Sequence, residues 1–189
     1  MKKYLIVFNS TLFFLIAILS SALAIEITAD MISKEGKIIR SGKMYVKDKK
    51  YRVERGATPI YVIVRGDKNL IWQVNGVEGT YAEFGLTPEM RPNIEEKIYG
   101  ETGRKLIGTE TVNGFQAKKY EVTVKRGGKT ETYYQWFASE VSFPARVAAA
   151  NGSWTIDYKN IKKGSVADNL FDLRPGMIKE ASEAPDVLH

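Results

Sequence analysis

The chain has no cysteine and a single histidine, which is its last residue. Without thiols there are no disulfides, so the fold must be held by its core alone. A thiol nucleophile and a lipid-modified N-terminal cysteine go with them. His189 stands alone at the terminus, where it can neither serve a nucleophile as base nor complete an ordinary zinc site. Proline is scarce, with six in the chain, and two of these, Pro88 and Pro92, fall in one short stretch. Long apolar runs are also missing, except at the very start. After residue 24 nothing approaches the roughly 20 apolar residues that a membrane-spanning helix needs.

The exception has the form of a secretory leader. Lys2 and Lys3 make a basic start, and Leu5 to Leu19 make an apolar run broken only by Asn9, Ser10 and Thr11. Small residues follow at Ala22 and Ala24, so residues 1–24 read as a signal peptide cut after Ala24. The next residue is Ile25, not the cysteine that a lipoprotein anchor requires, so the product is expected to be free in the periplasm. Loss of Lys2 and Lys3 leaves a modest basic excess. Its local clusters lie around Lys47 to Lys50, Lys118-Lys119 and Lys162-Lys163. They read as solvated hairpin ends and edge-strand gatekeepers. Transient contact with anionic lipid head groups or an acidic partner is the other reading. No basic stripe with interleaved aromatics stands out, so nucleic acid is not an expected partner.

From Ile25 onward the pattern has a period of two. Strands are expected at 26–33, 36–47 and 49–55, where Tyr51 and Val53 alternate with Arg52 and Glu54. Residues 59–65 and Leu70-Ile71-Trp72 are apolar on both faces, which requires a cover on each side of the sheet. Further strands are expected at 78–84, 104–112, 115–126, 129–138, 144–150 and 153–161. Asn113-Gly114, Gly127-Gly128 and Asn151-Gly152 are hairpin signals between them. One segment departs from this. Leu86, Met90, Ile94 and Ile98 step by four, and Asn93 with Glu96 suggests a capping box, so a short amphipathic helix is expected over 92–99, stopped by Gly100. Residues 164–180 read as a turn packed against the sheet, and Ala181 to His189 as a mobile tail.

A mainly β chain of about ten antiparallel strands must curl. The expected architecture is an unclosed half-barrel with one short helical lid or plug, spanning residues 25–180; a tightly packed sandwich is the alternative. Chemistry is thin. Glu95-Glu96 on the expected helix, and Glu121 facing Glu131 across a hairpin, are the carboxylate pairs a glycosidase would need, but strand glutamates usually face solvent. Gly100 to Gly103 and Arg126 to Lys129 resemble phosphate loops without the strand-to-helix setting those need. Aromatic mass remains: Trp72, Tyr81, Phe84, Phe115, Tyr133, Tyr134, Trp136, Phe137, Trp154 and Tyr158. It serves a packed core or an apolar pocket equally well.

The phrases Gly42-Lys-Met-Tyr-Val-Lys-Asp-Lys-Lys-Tyr-Arg-Val-Glu54 and Leu106-Ile-Gly-Thr-Glu-Thr-Val-Asn-Gly-Phe115 resemble the LolA/LolB-like superfamily of outer-membrane lipoprotein carriers. They are closest to its periplasmic branch. Tyr133-Tyr-Gln-Trp-Phe137, Phe143-Pro-Ala-Arg146, Gly152-Ser-Trp154 and Asn169-Leu-Phe171 continue the likeness through most of the chain. The resemblance implies an open barrel that holds acyl chains, with no cofactor and no catalysis; no metal site is expected either, from the lone histidine. This chain lacks the long amphipathic helix that opens a carrier.

The leading expectation is therefore a periplasmic, non-enzymatic binding protein for lipids or lipid-modified proteins. Its apolar lining is assigned to Ile60, Val62, Val64, Leu70, Trp72 and Tyr81, with Ile94 and Ile98 from the lid. A one-residue slip in phase would turn the opposite set inward. The alternatives are an envelope interaction or sensor module with a solid core and, more weakly, a carboxylate enzyme.

Overall fold

The computed structural model describes residues 25–181. The expected leader at 1–24, its cut, and the tail beyond residue 181 lie outside the described residues. The strands are β1 (Glu26–Glu35), β2 (Ile38–Lys47), β3 (Lys50–Arg55), β4 (Ile60–Arg65), β5 (Leu70–Asn75) and β6 (Thr80–Gly85). After a crossing segment come β7 (Glu101–Val112), β8 (Phe115–Arg126), β9 (Lys129–Ala138), β10 (Phe143–Ala149), β11 (Trp154–Lys163) and a two-residue β12 (Ile178–Lys179).

All twelve form one sheet in the order β12-β6-β5-β4-β3-β2-β1-β11-β10-β9-β8-β7. Two antiparallel meanders, β1 to β6 and β7 to β11, are joined where β1 pairs with β11. β12 adds a parallel stub to β6. The outer strands β12 and β7 are not bonded to each other, so the sheet is unclosed, as the strand pattern implied. Turn chemistry sets the local connections. Asn113 and Gly114 take φ of 51° and 88° in a two-residue hairpin loop. Positive φ at both positions is what a type I′ turn demands and what this residue pair tolerates.

Alternation then sorts the side chains. Ile27, Met44, Val53, Val64, Ile71, Phe143, Val147 and Tyr158 form one buried cluster. These residues come from β5 through β10, seven neighbouring strands. One cluster can draw on so wide a span only if the sheet curls, and the cluster marks its concave side. The other face of β4 and β5 carries Ile63, Trp72 and Val74, packed against Val166 and Phe171 of the C-terminal segment. Residues 164–180 thus cover the convex face, turning at a 3-10 helix over Asp168–Phe171. The doubly apolar strands are buried on both sides for this reason. Lys47 and Lys50 reach Asp168 at 3.0 and 2.8 Å, and Arg65 reaches Asp172 at 2.6 Å. The cluster around Lys47 to Lys50 is therefore not simply a solvated hairpin end, since two of its lysines tether this cover.

The helix expected over 92–99 is absent. One 3-10 turn at Pro88–Met90 is followed by turns and bends up to Gly100. Two prolines four residues apart leave too short a run to nucleate a helix. Its carbonyls are taken up by side chains of the sheet instead, as described below.

Phe171 is fully buried. Phe171→Ala is expected to lower unfolding free energy by about 3–5 kcal/mol. Asp168→Asn, at an exposed carboxylate, should shift the midpoint far less. Urea titration followed by the fluorescence of the adjacent Trp72 measures both.

Candidate functional site

The concave wall and the segment that crosses it bring apolar surface together with a concentrated set of polar contacts. Residues 86–100, here called the strap, leave β6 at one edge and enter β7 at the other. Leu86 and Ile94 join the cluster built from β5 to β10, with Met90 packed against it. Ile98 joins Val122, Val124 and Tyr133 under β8 and β9. The stepping-by-four of Leu86, Met90, Ile94 and Ile98 therefore describes a row lying along the concave face, although its backbone is not helical.

Polar side chains from four strands hold the strap. Tyr51 on β3 donates to Glu95 Oε1 at 3.0 Å. Gln135 on β9, fully buried, donates its amide to the Glu95 carbonyl at 2.8 Å. Its own oxygen accepts from Arg104 on β7 at 3.0 Å. Arg104 also donates to the Glu96 carbonyl and pairs with Glu101 at 2.7 Å. Arg126 on β8 donates to the Tyr99 carbonyl at 2.8 Å and to Asn93 Oδ1 at 2.9 Å. Its remaining amine, Nη1, is buried without a partner.

These surroundings move the titrating groups. Burial pushes the Tyr51 hydroxyl up, and the Glu95 carboxylate adds to the shift. Burial alone does the same at Tyr158, and burial with Glu131 at Tyr133. Burial would raise Glu101, but the hydrogen bond and charge of Arg104 outweigh it and hold the carboxyl below its usual range. At Arg126 burial weakens the proton's hold, against the pull of Tyr133 and Glu131.

Little space remains. A cavity of about 20 Å³ lies between Pro92-Asn93 and a wall that includes Met44, Val53, Val147, Trp154 and Tyr158. That is room for one water molecule. In this conformation the strap fills the middle of the hollow, and a groove of about 260 Å³ stays open at the wall's end beside Val53 and Val62.

The residues assigned to the lining divide between the faces. Val62 and Val64 lie on the concave wall with Ile94. Ile60 is 40% exposed, and it lines a groove at the wall's end with Val53, Val62 and Gln73. Ile98 sits further along, in the Val122 cluster. Leu70, Trp72 and Tyr81 lie on the convex face. The pairings Arg65↔Leu70 and Ile63↔Trp72 put them in phase with Arg65 and Ile63, opposite to Val62 and Val64. There the Trp72 indole donates to Glu83 at 2.9 Å. Glu121 and Glu131 do not face each other. Glu121 pairs with Tyr134 and Glu131 with Val124, which places them on opposite faces. The strap's anchors Arg126, Gln135, Arg104 and Tyr51 were not singled out as such from the sequence. Gln135 carried a signal, being an amide in the inward phase of an aromatic strand.

No family model matches the chain, and no curated protein matches it in sequence. Solved structures match in fold. The Pseudomonas aeruginosa MucA/MucB complex aligns at a TM-score of 0.52 and 10% identity, over 78% of this chain and 55% of that one. MucB alone aligns at 0.52 and 10%, over 85% and 62%. The fold is similar to that of MucB. At these identities the likeness is one of fold, and the chain spans little more than half the length of the MucB chain in the complex. A putative outer membrane lipoprotein-sorting protein domain from Vibrio parahaemolyticus also matches, at 0.42 and 10%, over 78% and 89%.

Two outcomes are expected from this geometry. Raised tyrosine pKa values favour the folded state up to the ordinary tyrosine value near about 10, and that advantage is lost as pH rises further. Tyrosinate absorbance should therefore appear together with loss of the strand circular dichroism, and Tyr158→Phe should delay both. Gln135→Leu removes the bond from this side chain to the Glu95 carbonyl and the acceptor that holds Arg104. Amide hydrogen exchange should quicken in residues 93–99 while β1 and β11 stay protected.

Proposed function

We propose that this chain is a non-enzymatic binding protein of the cell envelope that takes an acyl chain or similar hydrophobic ligand on its concave wall. The leader at 1–24 would deliver it to the periplasm. The observation that carries the proposal is the nature of the cover. An apolar wall drawn from seven strands is sheltered by one irregular connector, whose main chain is tied down by side-chain hydrogen bonds that water can replace. The side chains of Leu86, Met90, Ile94 and Ile98 fill about the space of a sixteen-carbon chain, each methylene of which gains about 0.8 kcal/mol on burial. Ligand and strap would compete for one wall, with Val62, Val64 and, at the rim, Ile60 in apolar contact once the strap moves. Leu70, Trp72 and Tyr81 would support that wall from behind. The lipoprotein-carrier resemblance favours the same reading.

A second reading, a module that grips an envelope protein, is favoured by a different observation. β7 is an edge strand of twelve residues with Leu106 and Ile107 exposed, and main-chain donors on such an edge can pair with an incoming strand. Solved MucB, similar in fold, is in complex with MucA.

Competition makes a signed prediction. Ile94→Ala weakens the strap and not the wall, so a fluorescent sixteen-carbon fatty acid should bind about tenfold more tightly or better. Fluorescence titration, with displacement by the unlabelled acid, measures it. Absence of saturable binding to both proteins would turn the assignment toward the protein-partner reading.

A further inference from the structure

The exposed apolar side chains of this molecule are not scattered evenly. Pairing registers place the turns of the sheet at two ends. The β2–β3 and β4–β5 turns share one end with the charged tethers of the C-terminal cover. The β1–β2, β3–β4, β5–β6 and β10–β11 turns share the other. Ile38 and Ile39 lie at that second end with 52% and 67% of their surface exposed. Val77, on the β5–β6 turn, is 84% exposed at the same end.

The β1–β2 hairpin ends there with one open edge. β1 stays paired to β11 up to Glu35↔Trp154, and the Gly36 N–H meets the Ser153 carbonyl, but the β2 side has no strand neighbour at its tip among the described residues. The hairpin's own pairing runs on to Glu35↔Ile38, whereas β3 begins to pair with β2 only at Gly42↔Arg55. The Ser41 carbonyl still accepts from the Gly56 N–H at 2.7 Å, so residues 38–40 of β2 are the ones that stand clear of β3. Ile38 and Ile39 are consecutive in a strand, so they point to opposite faces, and both are wet. A residue pair exposed on both faces of an open edge cannot be buried against one flat protein surface. It suits a medium that can close around that edge.

Charge narrows the choice. Lys34 sits across from Ile39, and Lys37 and Arg40 flank the pair. Glu35 is the one acid in the hairpin tip, and it is paired to Arg40 at 3.5 Å. Lys34 and Lys37 have no ion pair among the described residues. Apolar side chains ringed by uncommitted lysines match a lipid surface carrying anionic head groups. The small cavity beneath the strap lies toward this end too, with Ser33, Arg55 and Trp154 in its lining.

We propose that the β1–β2 hairpin tip docks this protein reversibly on an anionic bilayer, with Ile38 and Ile39 entering the interface and Lys34 and Lys37 meeting lipid phosphates. This stands whether or not an acyl chain is carried on the concave wall. One bilayer-facing tip gives a weak, salt-sensitive contact that a diffusing protein can leave again.

The test is co-sedimentation of residues 25–189, which hold every described strand and core cluster, with vesicles of phosphatidylcholine alone or with phosphatidylglycerol added. Binding is expected on the anionic vesicles, reduced by salt. The double substitution Ile38→Ser and Ile39→Ser should lower partition about tenfold or more. Lys34→Gln or Lys37→Gln should each lower it about fivefold on anionic vesicles. Both isoleucines are exposed, so folding should be unchanged by circular dichroism. As a separate reading, Ile39→Trp should add a blue-shifted emission on anionic vesicles and be quenched by brominated lipid. No sedimentation with anionic vesicles, or sedimentation indifferent to the isoleucine and lysine substitutions, overturns the proposal. A tip that retains a protein partner while ignoring vesicles overturns it equally.

Discussion

An open sheet has an inner face that its own curl cannot bury. A barrel would close over that face and a sandwich would lay a second sheet on it, but here neither happens. Instead the link between the two meanders, which must run from one edge of the sheet to the other, is routed across the concave side. Its four apolar side chains supply the missing half of the core. Chain connectivity and the need to remove apolar surface from water are met by the same fifteen or so residues. The packing of this sheet on its inner side follows from that route.

The route has a polar requirement. A connector without helix or strand brings unpaired carbonyls into the interior, and buried carbonyls need donors. Arg104, Arg126 and Gln135 provide them from three neighbouring strands. Arginine and glutamine are costly to bury, and one Arg126 amine is left unsatisfied. The arrangement fixes the strap's position more than it adds stability. An apolar helix would need no such donors, so the irregular path of the strap and the polar side chains beneath it go together.

Most of the strand pattern was legible in the sequence, because a half-buried antiparallel strand writes its burial into alternation. Tyr51 and Val53 against Arg52 and Glu54 show this, as do the Asn-Gly and Gly-Gly turns between long strands. The cover on the convex side was also legible, since Ile63 and Trp72 needed something above them. Phase across β4 and β5 was not. When both faces are apolar, alternation carries no sign, and the turn at 66–69 alone decides which set faces inward. The strap was half legible. The four-residue spacing of its apolar residues located the buried row, but that spacing also fits an extended, kinked path along a curved wall. Which applies depends on donors from Gln135 and Arg126, more than thirty residues away in sequence.

The seam between the meanders has a consequence for biogenesis. β1, made first, finds a neighbour in β2 at once, but its other edge waits for β11, as in Ile27↔Lys163 and Met31↔Tyr158. Contacts so distant along the chain form slowly, because closing a long loop comes before any reward. The β1 to β6 meander can pair locally as it is made, but its β1 edge stays open until almost all of the chain exists. The placement of one early strand in the middle of the sheet makes the seam the last long-range contact to close.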